Sequence, residues 1–383
     1  MIPSTKTVLA VAASALLLVA SGACSAPGSD EASGGSDSGP IKFALVDAQS
    51  GQLSSLGAWE LKGAKLAVNE FNEAGGLDGR KVELTVFDDQ GDPTTGTSIA
   101  SKVTAGGYTA MIGTAESAVT LAMNPILKAA KVPSITSGQS PAISKLGSPF
   151  QFFNGPTSVT YDETLAKYLV EDKGYKTFAM ISNNGGYGTG EHDAFKAALS
   201  SRNITPTDDK VVTTDQKDFS SVLTSIRGKN PDVLFIGTEE VEAGLIAKQA
   251  RELGLKSVFA GAAPLSTPVY AQTAGNANVE GTIVSTPYLS NDATDASKKF
   301  AAAYKAAYNE EAELHGAKAY DGTNIFLTAL KATNGEGGQK LADQIRATKY
   351  AGLLGSFAYD DQGVGIHETK IGLIKSGALT AAQ

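Results

Sequence analysis

Between Ile41 and Lys375 the apolar residues keep two alternating rhythms. Short runs rich in β-branched and aromatic residues are followed by Gly- or Ser-rich turns, then by apolar positions at helical spacing. Ile41–Val46 is the first predicted strand. Ala64, Ala67, Val68 and Phe71 mark one face of a helix over Leu61–Ala74, which Gly75-Gly76 stops. Strands follow at Lys81–Phe87, Ala110–Ile112 and Val132–Ile135, with helices over Thr94–Ala105 and Ser117–Ala130. The series restarts after Gly155. Helices are predicted at Thr160–Lys173, Gly190–Arg202, Phe219–Gly228 and Ala243–Leu253. They are interleaved with strands at Thr177–Ser182, Lys210–Thr213, Val233–Gly237, Val258–Ala260 and Thr282–Ser285.

Strand–helix alternation at this spacing implies parallel sheets built from right-handed βαβ units. At 383 residues the chain exceeds one comfortable core. The expected fold is therefore α/β, with two doubly wound parallel-sheet lobes. Helices at Ala296–Tyr308, Tyr320–Lys331 and Ala342–Ala347 and strands at Gly355–Tyr359 and Thr369–Lys375 are too few for a third lobe. They return to complete the first two, assigning 41–155 plus 287–355 to lobe 1 and 156–286 plus 356–383 to lobe 2. Such a path crosses between lobes several times and makes a hinge.

The first 40 residues obey neither rhythm. Lys6 precedes an apolar run from Val8 to Ala20, too short for a hydrocarbon core that needs roughly 20 residues. Small residues Ser21-Gly22-Ala23 then lead to Cys24, the single cysteine, which excludes an intramolecular disulfide. This is the layout of a secretory signal over 1–23 and of a bacterial lipoprotein acylated at Cys24. Ser21 stands where an aliphatic residue is usual, so an ordinary signal peptide cut elsewhere is the other reading. Residues 24–40, rich in Gly and Ser, read as a flexible tether with a reach of about 20 Å.

The net charge of −8 argues against nucleic acid and against a polybasic membrane surface. No G-x-S-x-G turn occurs, only three histidines are present, and no thiol lies after Cys24, which leaves little for nucleophilic catalysis. Asp88 and Asp89 are strand neighbours that point to opposite faces, which is poor for acid–base pairing. In NNGGYGTGE, Glu191 stands where a dinucleotide fingerprint needs its third glycine. No His/Cys/Asp spacing suggests a metal, and no cofactor is expected.

The run from Gly63 to Gly79 reads G-A-x-x-A-x-x-x-x-N-x-x-G-G-L-x-G and is followed by D-D-x-x-D-P. With Ile112-Gly113, Tyr187-Gly188, Asp218-Phe219-Ser220 and Ala250-Arg251, this order resembles the branched-chain amino-acid-binding family of periplasmic solute receptors. The resemblance covers nearly everything from Ile41 to about Lys375. It implies a type I periplasmic-binding-protein-like fold, held by a lipid anchor on the extracytoplasmic face of the cell membrane. A monomer of this kind closes two lobes on one small polar ligand and presents it to an ABC permease. The ligand would be a branched-chain or related amino acid or amide. The alternative is an amide, urea or aromatic-acid receptor or sensor of the same fold, and an enzyme is not expected.

The site follows from strand ends, where open α/β sheets bind ligands. Ser117 opens a helix after a short strand, so its hydroxyl and the unpaired N–H groups face the cleft. The resemblance gives this serine, with Ser137, Gly138 and Ser140 of the next loop, to the ligand's carboxylate and amino ends. It gives Tyr187 to the second lobe, contacting ligand on closure. Leu56 occupies the position of the family's first-lobe aromatic, and Trp59 is either a lid or a surface staple. Ala263 stands where relatives that bind α-amino acids carry a glutamate for the ammonium group. Glu239 is either the replacement acid or, with Glu240 and Glu242, part of a solvated helix N-terminus. Glu116 is a second cleft acid, and His315 lies just before the helix at Tyr320.

Overall fold

The computed structural model describes residues 39–292 and 294–382; the signal, Cys24 and tether expectations fall outside the described residues, apart from Gly39 and Pro40. Two parallel sheets organise the described chain. In the first, β1 (Ile41–Asp47), β2 (Val82–Asp88), β3 (Ala110–Ile112), β4 (Ser134–Thr136) and β5 (Gln151–Phe153) lie in the order β2-β1-β3-β4-β5. Helices α1 (Ser54–Glu73), α2 (Pro93–Ala105), α3 (Ser117–Ala130) and α4 (Pro141–Ser144) connect them.

The second half repeats the plan with β6 (Phe178–Asn183), β7 (Asp208–Val212), β8 (Val233–Gly237), β9 (Val258–Gly261) and β10 (Ile283–Thr286). Its helices are α5 (Ser158–Lys167), α6 (Gly186–Ser200), α7 (Ser220–Lys229), α8 (Glu240–Glu252) and α9 (Pro268–Ala274). These five strands lie in the order β10-β9-β8-β6-β7, the same winding as the first sheet. In each sheet the direction of winding reverses between the first and third strands, β1/β3 and β6/β8. A crevice opens at the carboxyl ends of such a pair.

Apolar composition explains which strands sit centrally. Every residue of β8 (VLFIG) is buried, whereas edge strand β7 (DDKVV) is mostly half-buried and carries charge. The first lobe's larger core joins Phe43 and Phe152 to Phe326, with edge-on rings 6.5 and 6.3 Å apart. Phe326 belongs to α11 (Leu314–Ala332), which with α10 (Asp295–Tyr308) and α12 (Gly338–Ala347) follows β10. Gly63 of α1 meets α11 so closely that a Cβ there would lie 2.0 Å from the Gly316 carbonyl oxygen.

The chain then forms a small antiparallel sheet of β11 (Tyr350–Gly352), β12 (Gly355–Tyr359) and β13 (Gly365–Ile366). The expected division at 355/356 needs correction here. Phe357 packs in the first lobe's core, and the Phe153 and Gly365 N–H groups bond the Gly363 and Gly155 carbonyls, so 356–366 sit with lobe 1. Only β14 (Lys370–Lys375) and β15 (Ala378–Ala381) return to the second sheet, pairing antiparallel beside β10. The connections after β5, β10 and β13 are the three crossings between lobes. Among the described residues no helix is long and apolar enough to cross a membrane.

Candidate functional site

The two crevices face each other. From the first lobe come the loop after β1, the first turns of α1 and α3, and the loop after β4. From the second come the first turns of α6 and α8 and the loop after β9. Where they meet, Leu56, Ser137, Gln139, Tyr187, Glu239, Glu240, Ala263 and His315 line a cavity of about 20 Å³. That is room for about one water-sized sphere, so a larger ligand enters only as the lobes separate. A second cavity of about 500 Å³ opens beside it and shares Tyr187 and Glu239.

Six residues expected from sequence thus share the inner cavity: Leu56, Ser137, Tyr187, Glu239, Ala263 and His315. The others sit elsewhere, for identifiable reasons. The Ser117 hydroxyl oxygen accepts from the Gln139 and Ser140 N–H groups, both at 3.2 Å, and so pins the next loop. Ser117 and Glu116 line the outer cavity. The Gly138 N–H donates to Thr136 Oγ1 at 2.9 Å, and Ser140 borders a different depression beside α6. Trp59 is half-buried and stacks on His315, with centroids 6.2 Å apart and planes 16° from parallel, outside the lining of either cavity.

The first turn of α8 also departs from expectation. Glu240 is 0% exposed and Glu242 8% exposed, so neither is a solvated helix N-terminus. Ser55 Oγ donates to Glu240 Oε1 at 2.5 Å, a bond between lobes, and Asn183 Nδ2 donates to Glu242 Oε2 at 2.5 Å. Their remaining oxygens have no hydrogen-bond partner. Burial pushes both carboxyls up to about 7, against the hydrogen bonds from Ser55 and Asn183. Glu239 is half-buried, and burial together with the charges of Glu240, Glu242 and Glu191 pushes it up to about 8.

His315 lies in the first turn of α11, whose N-cap Glu313 accepts from the Gly316 N–H. Burial alone would lower its pKa, but the Glu313 carboxylate, 3.0 Å from Nδ1, outweighs burial and raises it. The imidazole is therefore held toward its cationic form. Lys318, one turn on, is fully buried and donates from Nζ to the Ser137 carbonyl at 2.9 Å. No sequence pattern marks Lys318 or Gln139, because only the tertiary path brings α11 against the loop after β4.

Three further acids gather in the first crevice. Asp47, Asp89 and Glu116 bring carboxylate oxygens within 4.8 Å of one another, the one group among the described residues with metal-ligand geometry. Sequence spacing gave no such signal, since the three come from separate strand and helix ends. Asp47 Oδ1 accepts from the Ala48 and Ala115 N–H groups and Asp89 Oδ1 from Gly91 N–H, while both Glu116 oxygens lack a partner. Burial, then repulsion from neighbouring carboxylates, Glu60 and Glu116 for Asp47 and Asp89 for Glu116, raises Asp47 and Glu116 well above the carboxylate range. The group can therefore hold protons in place of a metal.

Comparison with known proteins agrees with this architecture. The sequence model of the family described as "Periplasmic binding protein" matches residues 40–378. The chain is 30% identical over 330 residues to the Leu/Ile/Val-binding protein BraC3 of Rhizobium johnstonii, covering 84% of this chain and 88% of that protein. The structure of the branched-chain amino acid transporter substrate-binding protein LivJ of Streptococcus pneumoniae, in complex with isoleucine, superposes with a TM-score of 0.83 at 25% identity. That likeness covers 89% of this chain and 98% of the other. A Rhodopseudomonas palustris solute-binding protein in complex with benzoate shares the fold, with a TM-score of 0.82 at 20% identity over 90% of this chain and 95% of its own. The chain belongs to the periplasmic binding protein family.

Proposed function

We propose that this protein is the solute receptor of an ABC importer and closes its lobes on one small amino-bearing molecule without transforming it. The observation that carries the reading is the inner cavity at the lobe junction, where carboxyls of one lobe face an imidazole of the other. Glu239 and Glu240 supply carboxyl groups that ionise when an ammonium pairs with them, and His315 supplies a cationic donor from the first lobe. A zwitterion fits such a site, with its ammonium toward the glutamates and its carboxylate toward His315 and the Ser137 hydroxyl. Glu239 and Glu240 then do the work of the acid that Ala263 lacks. A purely anionic aromatic acid would meet two carboxylates and is disfavoured.

The family supports an extracytoplasmic monomer that delivers its ligand to a membrane permease. The Cys24 layout supports a lipid anchor after removal of 1–23, with residues 24–40 as the tether. Lobe closure about the three crossings provides the signal that a permease reads. The test is titration calorimetry with thermal melting against amino acids, amides, urea and aromatic acids. One saturable binder carrying an ammonium group is expected. At a ligand concentration 100 times Kd it adds about 2.7 kcal/mol of stability. Glu239→Gln should weaken that binder by roughly tenfold, the loss of one charge-assisted hydrogen bond. Turnover of any of these compounds, or tight binding only of aromatic acids, would refute the reading.

A further inference from the structure

The outer cavity adds a feature that a simple zwitterion does not use. Its lining includes Glu116, Glu239 and Glu242, with Asp92 and Asp215 nearer solvent, and Lys217 is its single basic residue. Glu116 is 4% exposed, and neither of its oxygens has a hydrogen-bond partner; Glu242 Oε1 is likewise unpartnered. Behind Glu116 stand Asp47 and Asp89, two further carboxyls with no basic group among them. The two cavities adjoin, with Tyr187 and Glu239 lining both, so an elongated ligand that parts these two side chains would reach both. A neutral aliphatic tail would leave both Glu116 oxygens and Glu242 Oε1 buried without a hydrogen-bond partner, which is costly. A second ammonium on the ligand would supply the donors these oxygens lack.

We infer that the cleft selects small net-cationic amines, the class of basic amino acids and linear diamines, over neutral amino acids of the same length. The inference rests on the cleft being the ligand site, as proposed above. Specificity then comes from the penalty a neutral tail incurs beside Glu116 and Glu242, as much as from the new attraction. At about 500 Å³ the outer cavity has the size of a small-molecule site and admits a four- or five-carbon amine chain.

The experiment is calorimetric titration of the full-length protein with L-lysine, putrescine, L-norleucine and L-leucine in buffer containing EDTA. Norleucine has the lysine skeleton without the terminal ammonium. L-lysine should bind at least tenfold more tightly than norleucine, and putrescine should bind measurably. Glu116→Gln and Glu242→Gln should each reduce the lysine-to-norleucine ratio several-fold. Because those variants can perturb folding, the unmodified protein supplies a second readout. Repeated in buffers of different ionisation enthalpy, the lysine titration should release more protons than norleucine, as the second ammonium displaces a proton from Glu242, which burial pushes up to about 7. Norleucine or leucine binding as tightly as lysine would overturn the inference while leaving the receptor reading intact. No binding by any of the four, or by the wider panel, would overturn both.

Discussion

Ser55→Ala tests whether the lobes are latched across the cleft. Ser55 lies in the first turn of α1 and Glu240 in the first turn of α8, so their 2.5 Å hydrogen bond joins the two lobes and breaks when they separate. Glu240 is fully buried there, and its second oxygen already lacks a partner. When the carboxylate is ionised, a hydrogen bond to it contributes about 1.5–3 kcal/mol. Since the open form never makes the bond, its loss falls on closure and therefore on affinity. The expected penalty is about ten- to a hundredfold in Kd near pH 8.5, where a group pushed up to about 7 is ionised. Near pH 6 the carboxyl is protonated, the bond is neutral and worth about 0.5–1.5 kcal/mol, and the penalty shrinks to roughly two- to tenfold. Ser55→Thr keeps the hydroxyl and should recover most of the loss. Calorimetric Kd values at both pH values, with small-angle scattering to follow closure, give the measurement. Ser55→Ala within twofold of the parent at both pH values, with unchanged closure, would refute the latch.

Stability without ligand should fall as pH rises. Glu239 is pushed up to about 8 and Glu191, Glu240 and Glu242 to about 7 in the folded protein, against about 4.3 unfolded, so the native state binds more protons across that window. Their contribution is fully present below pH 4.3 and is lost as pH climbs through 7 to 8; a melting temperature equal or higher at pH 8.5 than at pH 6 would contradict this. Gly63→Ala should lower stability by about 1–3 kcal/mol or more, because its Cβ would lie 2.0 Å from the Gly316 carbonyl oxygen and α1 must move off α11; chemical denaturation reads it. Cys24→Ser should abolish incorporation of labelled fatty acid and shift the protein from the detergent to the aqueous phase on phase separation. Persistent acylation would place the anchor elsewhere.

Much of this architecture is legible in the chain because the physics behind it is local. Parallel strands buried on both faces must be apolar runs, and helices packed on a sheet must repeat their apolar positions every 3–4 residues. Strand β8 and helix α3 were therefore readable to the residue, and so was the need for two lobes. The first turns of the cleft helices were not. α1 begins at Ser54, not Leu61; α6 at Gly186, not Gly190; α8 at Glu240, not Ala243; and α11 at Leu314, not Tyr320. In each case the missing turn faces the opposite lobe or the ligand cavity. It carries Leu56, Tyr187, Glu240 or His315 where a core-facing helix would carry its apolar stripe. Those residues line the cavity at the lobe junction, and periodicity is blind to them.

Which acids are buried, and against what, is a property of the tertiary path alone. Asp47, Asp89 and Glu116 are far apart in the chain and meet because β1 and β2 end, and α3 begins, at one crevice. Glu240 looks like an ordinary helix-start acid until the closing lobe brings Ser55 onto it. The sequence by itself determined two doubly wound lobes and the chemistry available at their strand ends. Closure of one lobe on the other decided which of those groups lose water, and loss of water turns a surface carboxylate into a selective one.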